Sequence, residues 1–126
     1  MLLKKKNKLI EEIPEVENIL IELGQMLDQS KAEDIQILEL KNTNSYFNYF
    51  LIASSLSTMH CKKLSVDCTK FLKDKGVPLA YSDKINYDSG WVALDFGEVI
   101  VHIFSEENRQ KYKLEELWKD ARKIKI

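Results

Sequence analysis

The chain has 126 residues, of which 44% are hydrophobic and 31% charged, enough for one domain with a single core and too apolar for a disordered chain. Nineteen basic residues against twenty acidic ones give a net charge of -1, which argues against a protein that coats nucleic acid by charge alone. No run approaches the roughly 18 apolar residues of a membrane span, and the basic start lacks the apolar region of a signal peptide. We therefore expect a cytoplasmic protein.

The first part of the chain predicts a helix followed by two strands. Pro14 and the acids after it are typical of a helix start, and apolar residues at helical spacing extend this helix to about Asp28. Residues 34–40 and the aromatic run 46–53 are strand candidates, separated by the polar turn 41–45. Because the connection is so short, we expect the two strands to be antiparallel neighbours.

The middle of the chain predicts a long helix and a polar loop. Ser57 is placed to cap the free backbone N–H groups at the helix start, and Gly76 is placed for a left-handed cap at its end. Residues 77–81 form a short strand at best, and the polar segment 82–90 is expected to be a loop.

Residues 91–104 predict a hairpin of two apolar strands around which the sheet is built. Gly97 can take the left-handed conformation that ends a three-residue hairpin loop at Asp95-Phe96-Gly97. Both alternating sets of side chains on the second strand are mostly apolar. We therefore expect this strand to be covered on both faces and to lie inside the sheet.

The end of the chain predicts two short helices and a loose terminus. Ser105 and the acids after it cap a helix to about Tyr112, residues 114–118 form a last helical turn, and the charged end from Lys119 is expected to be loose. Together the elements predict an α/β fold with one mixed sheet of about five strands flanked by helices. The expected boundaries are a tail at 1–13, the domain at 14–120 and a tail at 121–126.

The sequence contains little that predicts catalysis, a metal or a cofactor, and we predict none of them. The four glycines are dispersed, so there is no phosphate-binding loop, and the adjacent His60 and Cys61 diverge on a helix. His102 is predicted to be a buried, hydrogen-bonded side chain of a strand. Cys61 and Cys68 are too far apart on one helix for a disulfide, so we expect free buried thiols.

Two motifs follow the hairpin: Glu107-x-Arg109-x-x-Tyr112, and then Leu114-Glu115-x-Leu117-Trp118. Together with 91–104 they resemble the pattern of the ribosomal silencing factor family, also called RsfS or Iojap. Residues 32–35 and 49–54, with Ser57 and His60, match further segments of that pattern, and the resemblance runs from about Val16 to Ala121. The departures lie where the family has Asp, Gly and Glu-Gly, and this chain has Asn48, Ser55 and Asp83-Lys84.

The resemblance implies a function on the ribosome. Family members bind the large ribosomal subunit at its fourteenth protein, block joining of the small subunit and lower translation when nutrients run short. The implied fold is similar to nucleotidyltransferases but lacks their catalytic residues. No sequence-specific binding to nucleic acid and no membrane partner are expected, and a homodimer, as formed in the family, is left open.

Two alternatives to this function remain open at this point. One is a nucleotidyltransferase-like enzyme or nucleotide-binding protein with a disguised site around Asp34, Asp95 and His102. It should bind Mg²⁺ and ATP, which a steric blocker need not do. The other is an adaptor that dimerises through its sheet and does not bind the ribosome.

The partner-binding site is predicted near Trp91, at the end of a polar loop. Tryptophan is enriched at binding hot spots, and acids beside it could pair with basic side chains of a ribosomal protein. A core position for Trp91 is supported equally well by the sequence. The candidate contact residues are Tyr81, Asp83, Lys84, Trp91, Ala93 and Asp95.

Overall fold

The computed structural model describes residues 15–40, 47–81 and 84–126, which form a five-stranded mixed sheet with helices on both faces. None of the helices in these ranges is long and apolar enough to cross a membrane. The tail at 1–13, Pro14 and the turn 41–45 lie outside the described residues. The elements in chain order are α1 (Glu15–Gln29), β1 (Glu33–Glu39), β2 (Tyr49–Ser55), α2 (Thr58–Asp74), a 3-10 turn (Tyr87–Ser89), β3 (Trp91–Asp95), β4 (Val99–Ser105), α3 (Glu106–Tyr112), α4 (Leu114–Leu117) and β5 (Arg122–Ile124).

The strand order in the sheet is β3-β4-β2-β1-β5. β1 and β2 are antiparallel neighbours, as the short connection predicts, and β3 and β4 form the predicted hairpin. β2 and β4 run parallel, with the helix α2 in the connection between them. Every residue of β2 is buried, and six of the seven residues of β4 are buried. The expectation that the second hairpin strand lies inside the sheet and is covered on both faces is therefore confirmed.

The sheet separates two apolar clusters. The larger one packs the helices α1 and α2 against one face of the sheet, around residues such as Leu20, Leu64 and Val101. The smaller one lies on the opposite face, where Phe50, Ile100 and Phe104 meet Leu114, Ala121 and the partly buried Trp118. On this second face Trp91 and Ala93 of β3 remain exposed.

The predicted helix caps are present. Ser57 accepts a hydrogen bond from the backbone N–H of His60 at 3.0 Å, and Gly76 has a φ of 84° after the last turn of α2. The ring of His60 adds a second connection: Nδ1 accepts from the N–H of Leu56 at 2.9 Å, and Nε2 donates to the carbonyl of Ser30 at 2.7 Å. Because Nδ1 is an acceptor here, the proton of this imidazole lies on Nε2.

The expectation that the end of the chain is loose is wrong for the residues that form β5. Arg122–Ile124 pairs antiparallel with β1, and Ile124 is buried. The guanidinium of Arg122 bridges Glu17 of α1 at 2.6 Å and Glu39 of β1 at 2.8 Å, so partners far away in the sequence hold this segment. Residues 122–124 therefore form a strand of the sheet and are not loose.

The fifth strand of the sheet is β5, because residues 77–81 do not form a strand. Pro78 has no backbone N–H to donate to a ladder. The segment instead makes one backbone hydrogen bond to the hairpin, from the N–H of Ala80 to the carbonyl of Asp95 at 2.8 Å.

Candidate functional site

The edge strand β3 presents alternate residues to opposite faces of the sheet. Val92 and Leu94 point into the larger cluster and are buried. Trp91, Ala93 and Asp95 lie on the other face, where they are paired across the hairpin with Phe104, His102 and Ile100. We call the surface formed by Trp91, Ala93 and Asp95 the β3 face.

A groove of about 340 Å³ runs along the edge of β3. Tyr81 and Lys84 line it together with Trp91 and Ala93, so the structure brings four of the six predicted contact residues to one place. Asp95 lies two residues further along the same strand face, and Asp83 lies outside the described residues.

Trp91 is neither a core residue nor a free surface residue. Its side chain remains 36% exposed, and its ring packs against Phe104 at 4.8 Å and Tyr112 at 5.1 Å between centroids. Its indole Nε1 donates a hydrogen bond to Nδ1 of His102 at 3.1 Å. One side of the indole is thus held by the sheet and by α3, while the other side is available to a partner.

Tyr112 extends this aromatic surface and was not among the predicted contact residues. It is 45% exposed and comes from the end of α3. The available signal was its place in the Glu-x-Arg-x-x-Tyr motif, but the sequence gives no indication that α3 ends beside β3. The contact with Trp91 depends on tertiary packing.

His102 lies on β4 beside the β3 face, opposite Ala93, and is buried, as predicted, with 6% of its surface exposed. Its ring meets Phe50 in a T-shaped arrangement with centroids 4.6 Å apart. Burial lowers the pKa of His102 to about 4, so the imidazole is neutral at neutral pH. Since Nδ1 accepts a hydrogen bond from the indole N–H, the imidazole proton lies on Nε2, which has no hydrogen-bond partner among the described residues.

This buried imidazole predicts a loss of stability in mild acid. The unfolded chain takes up a proton near the ordinary His pKa of 6.5, whereas the folded protein resists protonation of His102 down to about 4. The unfolded state therefore binds more protons in this window, and the free energy of unfolding falls as pH drops through it. Between about pH 7.5 and about pH 5, His102 should account for a loss of about 2 kcal/mol.

Urea denaturation of the wild type and of His102→Gln over this pH range measures the effect. The variant retains every other titrating group, so the difference between the two pH profiles isolates His102. Parallel profiles would contradict the prediction.

Asp95 has a role within its own turn. Its Oδ1 accepts a hydrogen bond from the N–H of Gly97 at 2.8 Å, and Gly97 has the positive φ, 89°, expected for this loop. Asp95 therefore has a structural role in the hairpin that does not depend on a partner. The charge of Asp95 still lies at the border of the β3 face, but the turn alone explains an aspartate there.

Arg109 fixes the helix that carries Tyr112. This buried side chain donates to Oε2 of Glu115 at 2.7 Å, to Oγ of Ser54 at 3.0 Å and to the carbonyl of Asp34 at 2.6 Å. The three acceptors come from α4, β2 and β1. One guanidinium thus joins α3 to the sheet and to the next helix.

The alternative enzyme site is not assembled. His102 is buried in β4, whereas Asp34 lies two strands away on β1 and Asp95 is at the far end of β3. Within the ranges that the structure describes, no three His, Cys, Asp or Glu side chains form a metal-binding group. Cys61 and Cys68 are free and buried, as predicted, and burial raises the pKa of both thiols, that of Cys68 to about 12. Neither thiol is poised to act as a nucleophile.

The chain is similar to known proteins over most of its length. The profile of a family described as "Ribosomal silencing factor during starvation" matches residues 13–126. The ribosomal silencing factor RsfS of Chromobacterium violaceum is 32% identical, covering 85% of this chain and 84% of the relative. RsfS of Bacillus subtilis is 30% identical, with coverages of 75% and 79%. A mouse protein named for mitochondrial assembly of the ribosomal large subunit is 32% identical over 76% of this chain and 43% of its own length.

Solved structures show the same fold. A crystal structure of a Chromobacterium violaceum protein superposes with a TM-score of 0.74 at 29% identity, covering 83% of this chain and 87% of that one. A Bacillus halodurans structure gives a TM-score of 0.67 at 28% identity, with coverages of 85% and 97%. The fold of this chain is therefore shared with experimentally determined structures.

Proposed function

This chain belongs to the ribosomal silencing factor family, and from that premise we propose that it represses translation in the cytoplasm by obstructing the large ribosomal subunit. In this proposal it binds that subunit at its fourteenth protein and blocks joining of the small subunit. The name of the mouse relative, which refers to assembly of the ribosomal large subunit, supports that subunit as the partner.

The observation that carries the proposal is the β3 face, with its half-exposed Trp91. An aromatic side chain that is ordered on one side and open on the other is the kind of anchor that dominates protein interfaces. Tyr112 adds a second exposed aromatic ring beside it, and the exposed Ala93 keeps the strand surface low enough for a partner to approach closely. Lys84 and Asp95 at the border of the face could contribute to steering and register, as charges at an interface rim do.

Ala93→Arg tests this face with little effect on the fold. Ala93 is exposed, so an arginine there can extend into solvent, but it would occupy the space of a docked partner. We expect affinity for purified large subunits to fall by at least tenfold, a change of about 1.4 kcal/mol, while the melting temperature changes little. Co-sedimentation with large subunits gives the affinity, and a sucrose gradient of mixed subunits gives the block of 70S formation.

Val66→Arg is the matched control. Val66 is 50% exposed on α2, which packs on the opposite face of the sheet. It should bind and block like the wild type. Normal binding by Ala93→Arg would show that the β3 face is not the contact site. Normal formation of 70S particles with wild-type protein in excess over large subunits would overturn the proposed function itself.

A further inference from the structure

Burial of the His102 imidazole costs free energy, although its ring accepts a hydrogen bond from Trp91. A buried imidazole with an unpaired Nε2–H loses the hydrogen bonds it would make in water. A leucine or phenylalanine could occupy this site among Phe50 and Phe104 without that cost. Among the described residues, the one hydrogen bond that the imidazole makes is the bond from Nε1 of Trp91. The polar group of His102 therefore serves to hold the indole of Trp91.

We propose that His102 is a positioning residue for partner binding, which holds the indole of Trp91 in its binding-competent orientation on the β3 face. This inference rests on the proposed function, because it assigns His102 a role in the same contact. His102 does not touch the partner, since its side chain is buried on the neighbouring strand β4, next to Ala93. Its effect is transmitted through Nδ1 to the indole N–H.

The packing around the indole explains why a hydrogen bond is needed. Phe104 and Tyr112 contact the ring of Trp91 in tilted arrangements, 31° and 44° between planes, which restrict the ring but provide no directional contact. The neighbouring Ala93 is too small to restrict the indole on the strand surface. The bond to Nδ1 is directional and selects one orientation among the rotamers that the aromatic neighbours allow.

A positioning role has a kinetic signature. If loss of the bond leaves the indole in several orientations, only a fraction of the molecules can bind at any moment, and the apparent dissociation constant rises by the inverse of that fraction. A hydrogen bond of ordinary strength corresponds to about a fivefold change. Because the contacts in the complex stay the same, we expect this change mainly in the association rate and not in the dissociation rate.

Two variants of His102 test the inference on the full-length protein. His102→Leu removes the acceptor, and we expect about fivefold slower association with large subunits by stopped-flow or biolayer interferometry. His102→Gln retains an acceptor oxygen and should recover most of the loss. In a Trp91→Ala background, His102→Leu should have no further effect on binding, because a positioning residue cannot act without the side chain that it positions.

NMR detects the hydrogen bond directly and therefore distinguishes its loss from a loss of stability. The chain has only two tryptophans, so Trp118→Phe assigns the two indole signals. A ¹⁵N–¹⁵N coupling across the bond should be detectable from Nε1 of Trp91 in the wild type and absent in His102→Leu. This measurement holds even if His102→Leu binds poorly because it is less stable.

The outcomes separate the two proposals. If Trp91→Ala binds large subunits normally, the β3 face is wrong and the proposed contact fails. If Trp91→Ala binds weakly but His102→Leu associates at the wild-type rate, the contact stands and the positioning role is overturned. The same holds if the coupling is absent from the wild type, or if the effects of His102→Leu and Trp91→Ala on binding are additive.

Discussion

Replacing Arg109 by methionine should lower the free energy of unfolding by about 3–5 kcal/mol, the cost of removing one partner from a buried ionic group. Methionine fills a similar volume but leaves the Glu115 carboxylate, the Ser54 hydroxyl and the Asp34 carbonyl without their donor. This loss is a large share of the roughly 5–15 kcal/mol that stabilises an ordinary domain. Urea denaturation followed by tryptophan fluorescence gives the change.

Two further variants separate the ionic contacts of Arg109 from its bulk. Gln110→Met, at an exposed position next to it in α3, is the control and should be close to neutral. Glu115→Gln in the Arg109→Met background should recover part of the loss, because it removes the unpaired carboxylate. If Arg109→Met lowered the free energy of unfolding by less than about 1 kcal/mol, the three hydrogen bonds would contribute no more than exposed ion pairs do, and the prediction would be wrong.

Ending the chain after Ala121 should cost about 3 kcal/mol or more of stability. Truncation removes the buried Ile124, worth about 1.5–3 kcal/mol by burial. It also removes Arg122 and leaves Glu17, which is only 6% exposed, without its cation. The contribution of Arg122 itself is modest, because its side chain is 53% exposed and solvent screens the pair.

Urea denaturation of the truncated and complete chains measures this cost, with Lys125→Ala in the complete chain as the control because Lys125 is exposed. If the truncated chain fails to accumulate, Ile124→Ala in the complete chain tests the apolar part alone. Equal denaturation midpoints for truncated and complete chains would show that β5 contributes nothing.

The sequence alone predicts the elements that depend on neighbouring residues along the chain. The caps at Ser57 and Ser105 follow from one hydroxyl directly before each helix, and each accepts a hydrogen bond from the expected backbone N–H. The interior position of β4 follows from two apolar faces on a single strand. The hairpin follows from one glycine between two apolar runs.

The elements that were missed depend on partners far away along the chain. β5 has only three residues, two of them charged, and no periodicity that would distinguish it from a loose end. It is a strand because it pairs with β1 and buries Ile124, and Arg122 adds contacts to Glu17 and Glu39, at separations of 105 and 83 residues. Such pairings have no signature in a single sequence.

The candidate site shows the same division. Strand alternation places Trp91, Ala93 and Asp95 on one face, and this was predictable from their spacing. The arrival of Tyr112 beside Trp91 was not, because Arg109 sets it by reaching Asp34 across 75 residues. The hairpin register brings Trp91 and His102 close together, but only the structure shows that their rings are oriented to form a hydrogen bond.

The parallel pairing of β2 with β4 has a consequence for how fast the chain can fold. Ser55 and Phe104, hydrogen-bonded partners across this pair, are 49 residues apart, so a long loop must close before the central ladder forms. The β3–β4 hairpin is local and can form in microseconds, but its inner strand stays uncovered until β2 arrives. Topologies rich in such distant pairings reach the native state in milliseconds to seconds. During that interval β4 exposes two apolar faces and an unpaired edge, so refolding yield should fall as protein concentration rises.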